Sequence, residues 1–376
     1  MTGPVTLPQY LLRNAAKMPR RIAFREKRRG IWQPLTWLAY ADMVRGIAAW
    51  LAAQGFAPGG RLAVLGENRP QLYAAMLAAQ ALGGAGVPLH PDAEGARIVQ
   101  IMRDCRASVA ITQEADQADM VLAALDRLPD VAHVTALSDL PRLPNTGMHP
   151  IGSVDADIAQ RAPQDPALLL YPWQPDKLPR PMVLTHGDLL GAADRIIASE
   201  DVRPGDRAFA YLPLASLEDA IYTQALALKA GFSCNCPEGP DTVPRDLHEI
   251  GPTFLIAPAR LFELLAARLD TSAAAASPLK RWLYSRFTDL AEEAEQRREM
   301  GLDVPLGLRI ARMTGEFMVH TPVRDQLGLA RLRWVHLGGQ PLAPVLARRF
   351  RAIGVPLRPS GEAVPAVVPT EATVHV

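Results

Sequence analysis

The sequence predicts an α/β chain with mostly parallel sheets flanked by helices, and three observations carry that reading. Short apolar runs bounded by turn residues alternate with longer segments of helical spacing. Glycine and proline mark the changes from one to the other. A content of 49% hydrophobic residues in 376 supplies a large core divided between two or more subdomains.

Taken in order, residues 8–18 and 37–54 have helical spacing, the second with Trp37, Leu38, Met43, Ile47, Trp50 and Leu51 as its apolar set. Between them, 20–32 alternates as a hairpin closed near Arg29-Gly30. A short buried strand at 61–65 turns through Gly66-Glu67-Asn68-Arg69-Pro70 into an Ala-rich helix over 71–82, ended by Gly83 and Gly84. A strand at 86–89, a helix at about 93–105 and a strand at 108–112 follow. Residues 136–166 read as loop, with Pro141, Pro144, Pro150 and Pro163. Next come strands at 168–171, 207–212, 232–236, 253–257 and 333–337, and helices at 187–199, 217–230, 259–269, 287–300 and 343–353. Residues 237–244 read as a Pro-rich link, and SAAAAS at 272–277 as a turn or helix start. We divide the chain into a first α/β subdomain over 1–165, a second over 166–358, and an irregular tail over 359–376.

Charge narrows the function. Forty Lys+Arg against 39 Asp+Glu leave a net +1, which gives no reason to expect nucleic-acid binding. No apolar run reaches the length of a spanning helix, and the N-terminus has no signal-peptide core, so a cytoplasmic location is expected. Three cysteines, Cys105, Cys234 and Cys236, fit a reducing compartment; the pair Cys234-Asn235-Cys236 reads as buried strand rather than metal ligands. The densest positive charge, Arg20, Arg21, Arg25, Lys27, Arg28 and Arg29, is expected to decorate an exposed hairpin. Peripheral contact with a membrane or another anionic partner is its alternative use. His90, His248 and His336 are isolated and show no ligand spacing, and no Gly-x-Ser-x-Gly elbow occurs. No catalytic or metal-binding residue is singled out.

The most informative segment is 171–186, YPWQPDKLPRPMVLTH. It resembles a loop of enzymes that activate carboxylic acids with ATP: a tyrosine, a Thr/Ser/Gly-rich turn, Pro-Lys-Gly and a closing Thr-His, in sixteen residues. Tyr171, Pro179, Thr185 and His186 fall on matching positions, whereas the turn has become Pro172, Trp173, Gln174, Pro175, Asp176 and Lys177. The Lys-Gly has become Arg180-Pro181. A phosphate cradle needs glycines for positive φ and converging N–H groups, hydroxyl donors, and a lysine. Residues 172–181 hold no glycine, serine or threonine, and four are prolines, which have no N–H to donate. Thr185 reads as a helix N-cap with Asp188 in the first turn, and a structural role for Thr185-His186 outweighs a catalytic one.

Further phrases widen the resemblance. Gly66-Glu67-Asn68-Arg69-Pro70, Leu212-Pro213-Leu214-Ala215, residues 240–247 with Pro252-Thr253-Phe254, Arg260-Leu261-Phe262-Glu263, and Gly338-Gly339-Gln340-Pro341-Leu342 occur in the order of the acyl-CoA synthetases. The chain is identified as similar to that group of the adenylate-forming, AMP-binding superfamily, in its long-chain fatty-acid type, over about 5–368. The resemblance implies the large N-terminal domain of that type, including a distorted β-barrel portion, and a C-terminal lid domain that is absent here. It places Tyr171, Thr185, His186, Gly338, Gly339, Gln340 and Glu362 on nucleotide-site positions. It also shows departures: Ser216 stands where the group has a histidine, and Gln340 where it has a small residue against adenine. The base-stacking tyrosine is lost. Glu362 keeps the magnesium-binding position only if three residues are deleted; a gapless count places that motif on 360–365 without its carboxylate.

The expected function is therefore an acyl-CoA synthetase-like protein with impaired catalysis, acting as an acyl-ligand-binding, scaffolding or regulatory subunit with a fatty acyl group or a partner protein. An apolar tunnel walled by the helix at 217–230 would take the acyl group by analogy with the family. The alternative is an ATP-dependent fatty-acid–CoA ligase or half-ligase, completed by another chain, which would use ATP, Mg2+ and CoA. A decayed gene product is the third reading, disfavoured by the intact α/β patterning.

Overall fold

The computed structural model of this chain describes residues 3–140, 151–172 and 180–358. Of these, two compact units form: the first takes in the chain to Gly205 and Ala210–Glu238, the second Asp206–Phe209 and the chain from Gly239.

In the first unit α1 (Leu7–Lys17) precedes a hairpin of β1 (Ile22–Arg28) and β2 (Ile31–Thr36). Arg29 (φ 48°) and Gly30 (φ 76°) close it, a two-residue turn whose left-handed pair matches the strand twist. Thr36 caps α2 (Trp37–Ala53), accepting from the Ala39 N–H at 3.2 Å. Then come β3 (Arg61–Leu65), α3 (Pro70–Ala81), β4 (Ala85–Leu89), α4 (Gly95–Asp104), β5 (Val109–Thr112), α5 (Ala115–Leu122) and β6 (His133–Ala136). The expected loop at 136–166 contains α6 (Ile151–Ala159), held to α2 by a two-pronged Arg45–Asp155 pair at 2.8 and 2.9 Å. The expected loop after 171 ends in β8 (Met182–Thr185), which returns antiparallel to β7 (Pro166–Leu170) before α7 (His186–Ser199).

These strands make one sheet in the order β6-β5-β3-β4-β7-β8, parallel except for β8. Parallel neighbours need crossover helices, which cover both faces and leave near-continuous apolar strands such as buried Leu62–Leu65. Helix α3 is buried along its whole length and is accordingly apolar on all sides. The border expected at 165/166 falls inside this unit, between α6 and β7.

The next strand, β9 (Arg207–Phe209), belongs to the second unit. The chain then returns to the first unit for α8 (Leu217–Asp219), a π-helical stretch (Ala220–Ala225), α9 (Leu226–Ala230) and β10 (Ser233–Cys236). β10 pairs parallel with β1, so β2, β1 and β10 lie side by side. Among the described residues no closed barrel forms. The sheets are open rows that end in edge strands. The basic hairpin is only partly a solvated surface. Lys27 is buried, its ammonium 5.6 Å above the Trp32 ring, and Arg25 donates to Asn235 Oδ1 at 3.0 Å, because β1 is covered on both faces.

The second unit holds α10 (Val243–Ile250), β11 (Phe254–Pro258), α11 (Ala259–Ala275), α12 (Pro278–Glu299), α13 (Leu306–Gly315), α14 (Thr321–Gln326), β12 (Trp334–Gly338) and α15 (Pro344–Ala352). β11 and β12 run parallel, Phe254 opposite Trp334 with stacked rings 4.4 Å apart. Buried Asp206 ties this unit together, accepting from Thr253 Oγ1 at 2.8 Å and pairing with Arg333 at 2.7 Å. The SAAAAS run is mostly the end of α11, since alanine extends a helix unless something stops it. Gly328 has φ 76°, and a Cβ there would lie 2.5 Å from the backbone of Leu247 and His248. Gly328→Ala is expected to cost about 2–4 kcal/mol, read as a lower urea midpoint; an unchanged midpoint would contradict this geometry.

Candidate functional site

In a parallel sheet, ligands collect beyond the carboxyl ends of the strands, where loops diverge. Strands β4 and β7 are neighbours, Gly86 opposite Leu168, and end side by side at Leu89 and Leu170. A cavity of about 360 Å³ opens there, within the roughly 300–1,000 Å³ usual for small-molecule sites. One wall is α4, whose Ile98 and Ile101 lie three residues apart and so share a face. Leu89, Leu170 and Met182 from the strands, and Pro213 with residues 215–218, supply further wall. His90, Arg97, Ser216 and Glu218 bring polar groups to this otherwise apolar lining. Such a site suits a ligand with an apolar body and a polar end.

The wall at 213–218 is held by a buried polar cluster. Asn68 donates through Nδ2 to the Leu212 carbonyl at 2.9 Å, to the Tyr73 hydroxyl at 2.7 Å and to Asp219 Oδ1 at 3.3 Å. Tyr73 donates its hydroxyl proton to Asp219 Oδ1 at 2.7 Å. Ser216 then caps α8 by accepting from the Asp219 N–H at 3.1 Å. Two phrases recognised in the sequence, 66–70 and 212–215, are thus joined directly. Burial pushes the Asp219 carboxyl up to about 7, against the opposing hydrogen bond from Tyr73.

The positions suggested by sequence are dispersed. Tyr171 reaches the cavity, but its hydroxyl donates to Asp104 Oδ2 at 2.6 Å, and burial with that carboxylate raises its pKa well above the ordinary tyrosine value. Thr185 lies opposite Pro166, whereas Tyr171 follows Leu170, which lies opposite Met182. Four residues of strand separate the two ends, about 13 Å along the hairpin. Thr185 forms a capping box with Asp188, accepting from its N–H at 3.1 Å while the Thr185 N–H donates back at 2.9 Å. His186 is fully buried; its Nδ1 accepts from the Leu7 N–H at 3.3 Å, and burial lowers its pKa to about 4. It anchors the start of α1 from 179 residues away and takes no part in the cavity.

Pro172 lines the cavity and, like Arg180, is exposed. Trp173, Gln174, Pro175, Asp176, Lys177 and Pro179 lie outside the described residues, as does Glu362. Gly338 ends β12 in the second unit, Gly339 turns with φ 73°, and Gln340 is exposed. His336 is buried on β12, its ring 5.2 Å from that of Trp334. His90, read from sequence as an isolated histidine, and Arg97, passed over altogether, both line the cavity. Their signal was their place just beyond the carboxyl end of β4. The helix expected to wall an acyl tunnel contributes only its first turn, Leu217 and Glu218, to this cavity, and its buried length packs against α7. Cys234 and Cys236 are buried free thiols on β10, and no cluster of three or more metal-ligating side chains occurs among the described residues.

The AMP-binding enzyme family matches residues 11–376, and the chain belongs to that family. Long-chain-fatty-acid–CoA ligases ACSBG2 and ACSBG1 of Rattus norvegicus are 22% and 21% identical to it, over 94% of this chain in each case and 56% and 51% of their own. The chain therefore spans about half the length of these curated relatives. Among solved structures, VinN superposes with TM-score 0.64 at 17% identity, covering 95% of this chain and 74% of its own. The N-terminal domain of FACL13 from Mycobacterium tuberculosis gives 0.63 at 18%, covering 94% and 74%. At such identities the structural likeness is one of fold.

Two buried groups give opposite pH effects. His186 is neutral in the fold, so its contribution is lost as pH falls from 6.5 towards about 4, where the unfolded chain binds a proton that the folded chain does not. Asp219 holds its proton in the fold, so stability falls as pH rises from 3.8 to about 7. Urea unfolding at stepped pH is expected to show a weaker acid loss in His186→Gln, and a weaker loss on raising the pH in Asp219→Asn. Profiles parallel to that of the parent chain would contradict both assignments.

Proposed function

We propose that the chain is an acyl-binding member of the AMP-binding family that holds a fatty acyl group and does not complete adenylation, acting as a binding, scaffolding or regulatory subunit. The observation that carries the proposal is a contrast within one site. The cavity beside Tyr171 offers apolar walls and a polar rim, while residues 172–181, which follow it, hold no glycine, serine or threonine to build a phosphate cradle and keep only Lys177 and Arg180 as cations. Four prolines without N–H and the Asp176 carboxylate stand where a polyphosphate would require donors and positive charge. ATP with Mg2+ does not fit that donor set, so no step through it is derived. The carboxyl end of an acyl ligand would sit near Arg97 and Ser216, and its chain would lie against Ile98, Ile101 and Leu217. The three buried free thiols support a reducing cytoplasm as its location.

The second reading is a ligase or half-ligase using ATP, Mg2+ and CoA with an altered loop. It is favoured by the printed activity of the curated relatives and by the retained Gly338-Gly339 turn. Acyl-dependent exchange of labelled pyrophosphate into ATP separates the two, since it reports adenylation alone. We expect no exchange above a heat-killed control, with saturable binding of a labelled fatty acid. Leu217→Trp should then weaken that binding about tenfold or more by filling the apolar wall, with unchanged unfolding. Exchange above background would overturn the proposal.

A further inference from the structure

The second unit carries an apolar face that packing within the unit does not cover. On α13, Leu306, Ile310 and Met313 are 72%, 56% and 74% exposed, and Phe317, in the π-helical stretch that follows, is 84% exposed. Their spacing of four, three and four residues places them along one side of the helix. Met318 is exposed beside them, and α12 adds exposed Leu279 and Trp282. The two helices form an antiparallel hairpin. Gly315 meets the Phe287 ring so closely that a Cβ would lie 2.8 Å from it, and Arg312 reaches Glu295 at 3.5 Å. Running antiparallel, the end of α13 with Phe317 lies level with the start of α12 and its Trp282.

Charge at that end has one sign. Residues 278–287, PLKRWLYSRF, contain Lys280, Arg281 and Arg286 and no carboxylate; residues 304–315 contain Arg309 and Arg312 and none either. Glu316 is paired with Arg324. The acidic half of α12 is matched by arginines: Glu293 with Arg297 at 3.3 Å and Glu299 with Arg348 at 3.0 Å. A row of leucine, isoleucine, methionine and phenylalanine with a tryptophan, bordered by Lys280, Arg281, Arg286 and Arg309, has the composition of a helix that lies in a lipid interface. A second copy fits less well. In a two-fold pair the patch would meet itself, bringing Lys280, Arg281 and Arg286 towards their own copies.

We propose that the α12–α13 hairpin seats the protein peripherally on an anionic lipid surface, the stripe from Leu306 to Phe317 entering the interface and Lys280, Arg281 and Arg286 meeting headgroup phosphates. The test is flotation of the full chain with phosphatidylcholine vesicles, with and without phosphatidylglycerol, at low and high salt. The chain should float with the anionic vesicles, and less so at high salt. Met313→Ser with Phe317→Ser should lower the bound fraction about tenfold, and Lys280→Glu with Arg286→Glu should abolish the preference for anionic lipid. Val345→Ser, an exposed apolar residue on α15, should bind as the parent does. All these positions are exposed, and circular dichroism confirms that each variant is folded. No flotation of the parent chain, or equal flotation of the serine variant, would overturn the proposal. A dimer by light scattering that the serine variant converts to monomer, without vesicle binding, would assign the face to a second copy instead.

Discussion

The cavity depends on one desolvated carboxyl group. The segment 213–218 forms a wall without being part of a strand ladder, so something other than sheet pairing must hold it. Asn68 and Tyr73, at the entrance and in the first turn of α3, converge on Asp219, and Asn68 also holds the Leu212 carbonyl; the side chains of Asn68, Tyr73 and Asp219 are buried. In a low-dielectric interior, the hydrogen bonds that meet at Asp219 Oδ1 favour this arrangement, because breaking them would leave further buried donors unmet. The wall, the Ser216 cap and the direction of the helix that follows all derive from that cluster.

A second constraint concerns the end of β7. Tyr171 emerges beside the cavity and is drawn to Asp104 on α4, while β8 must return antiparallel to reach α7. The intervening sequence, residues 172–181, has four prolines and no glycine, serine or threonine, and on that ground we propose binding rather than activation for this member of the AMP-binding family. The Thr185-His186 pair has a structural role. Thr185 starts α7 and His186 fastens α1, and neither role requires a nucleotide.

Much of this was legible in the sequence, and the failures have physical causes. The hairpin at Arg29-Gly30, the buried strands and the Ala-rich α3 follow from turn chemistry and apolar period, and they stand as expected. Helix α6 was hidden by its proline-rich flanks, α5 and α13 by short, mixed patterns, and β8 by its place inside a motif read as loop. Lys27 looked solvated because charge count ignores which face of a strand a neighbour covers. At the site, Asn68 and Leu212 were recognised as separate phrases, but only the fold shows them bonded. Arg97 carried no motif, and only the adjacency of β4 and β7 brings it to the cavity.

The most direct measurement of the central claim is photo-crosslinking with a diazirine-bearing fatty acid, mapped by peptide mass spectrometry and competed with unlabelled acid. We predict saturable labelling confined to the segments around Leu89–Ile101, Leu170–Pro172, Met182 and Pro213–Glu218, reduced in Leu217→Trp. Labelling that excess acid does not displace, or that falls only on other segments such as the exposed stripe of α13, would contradict an acyl site in this cavity.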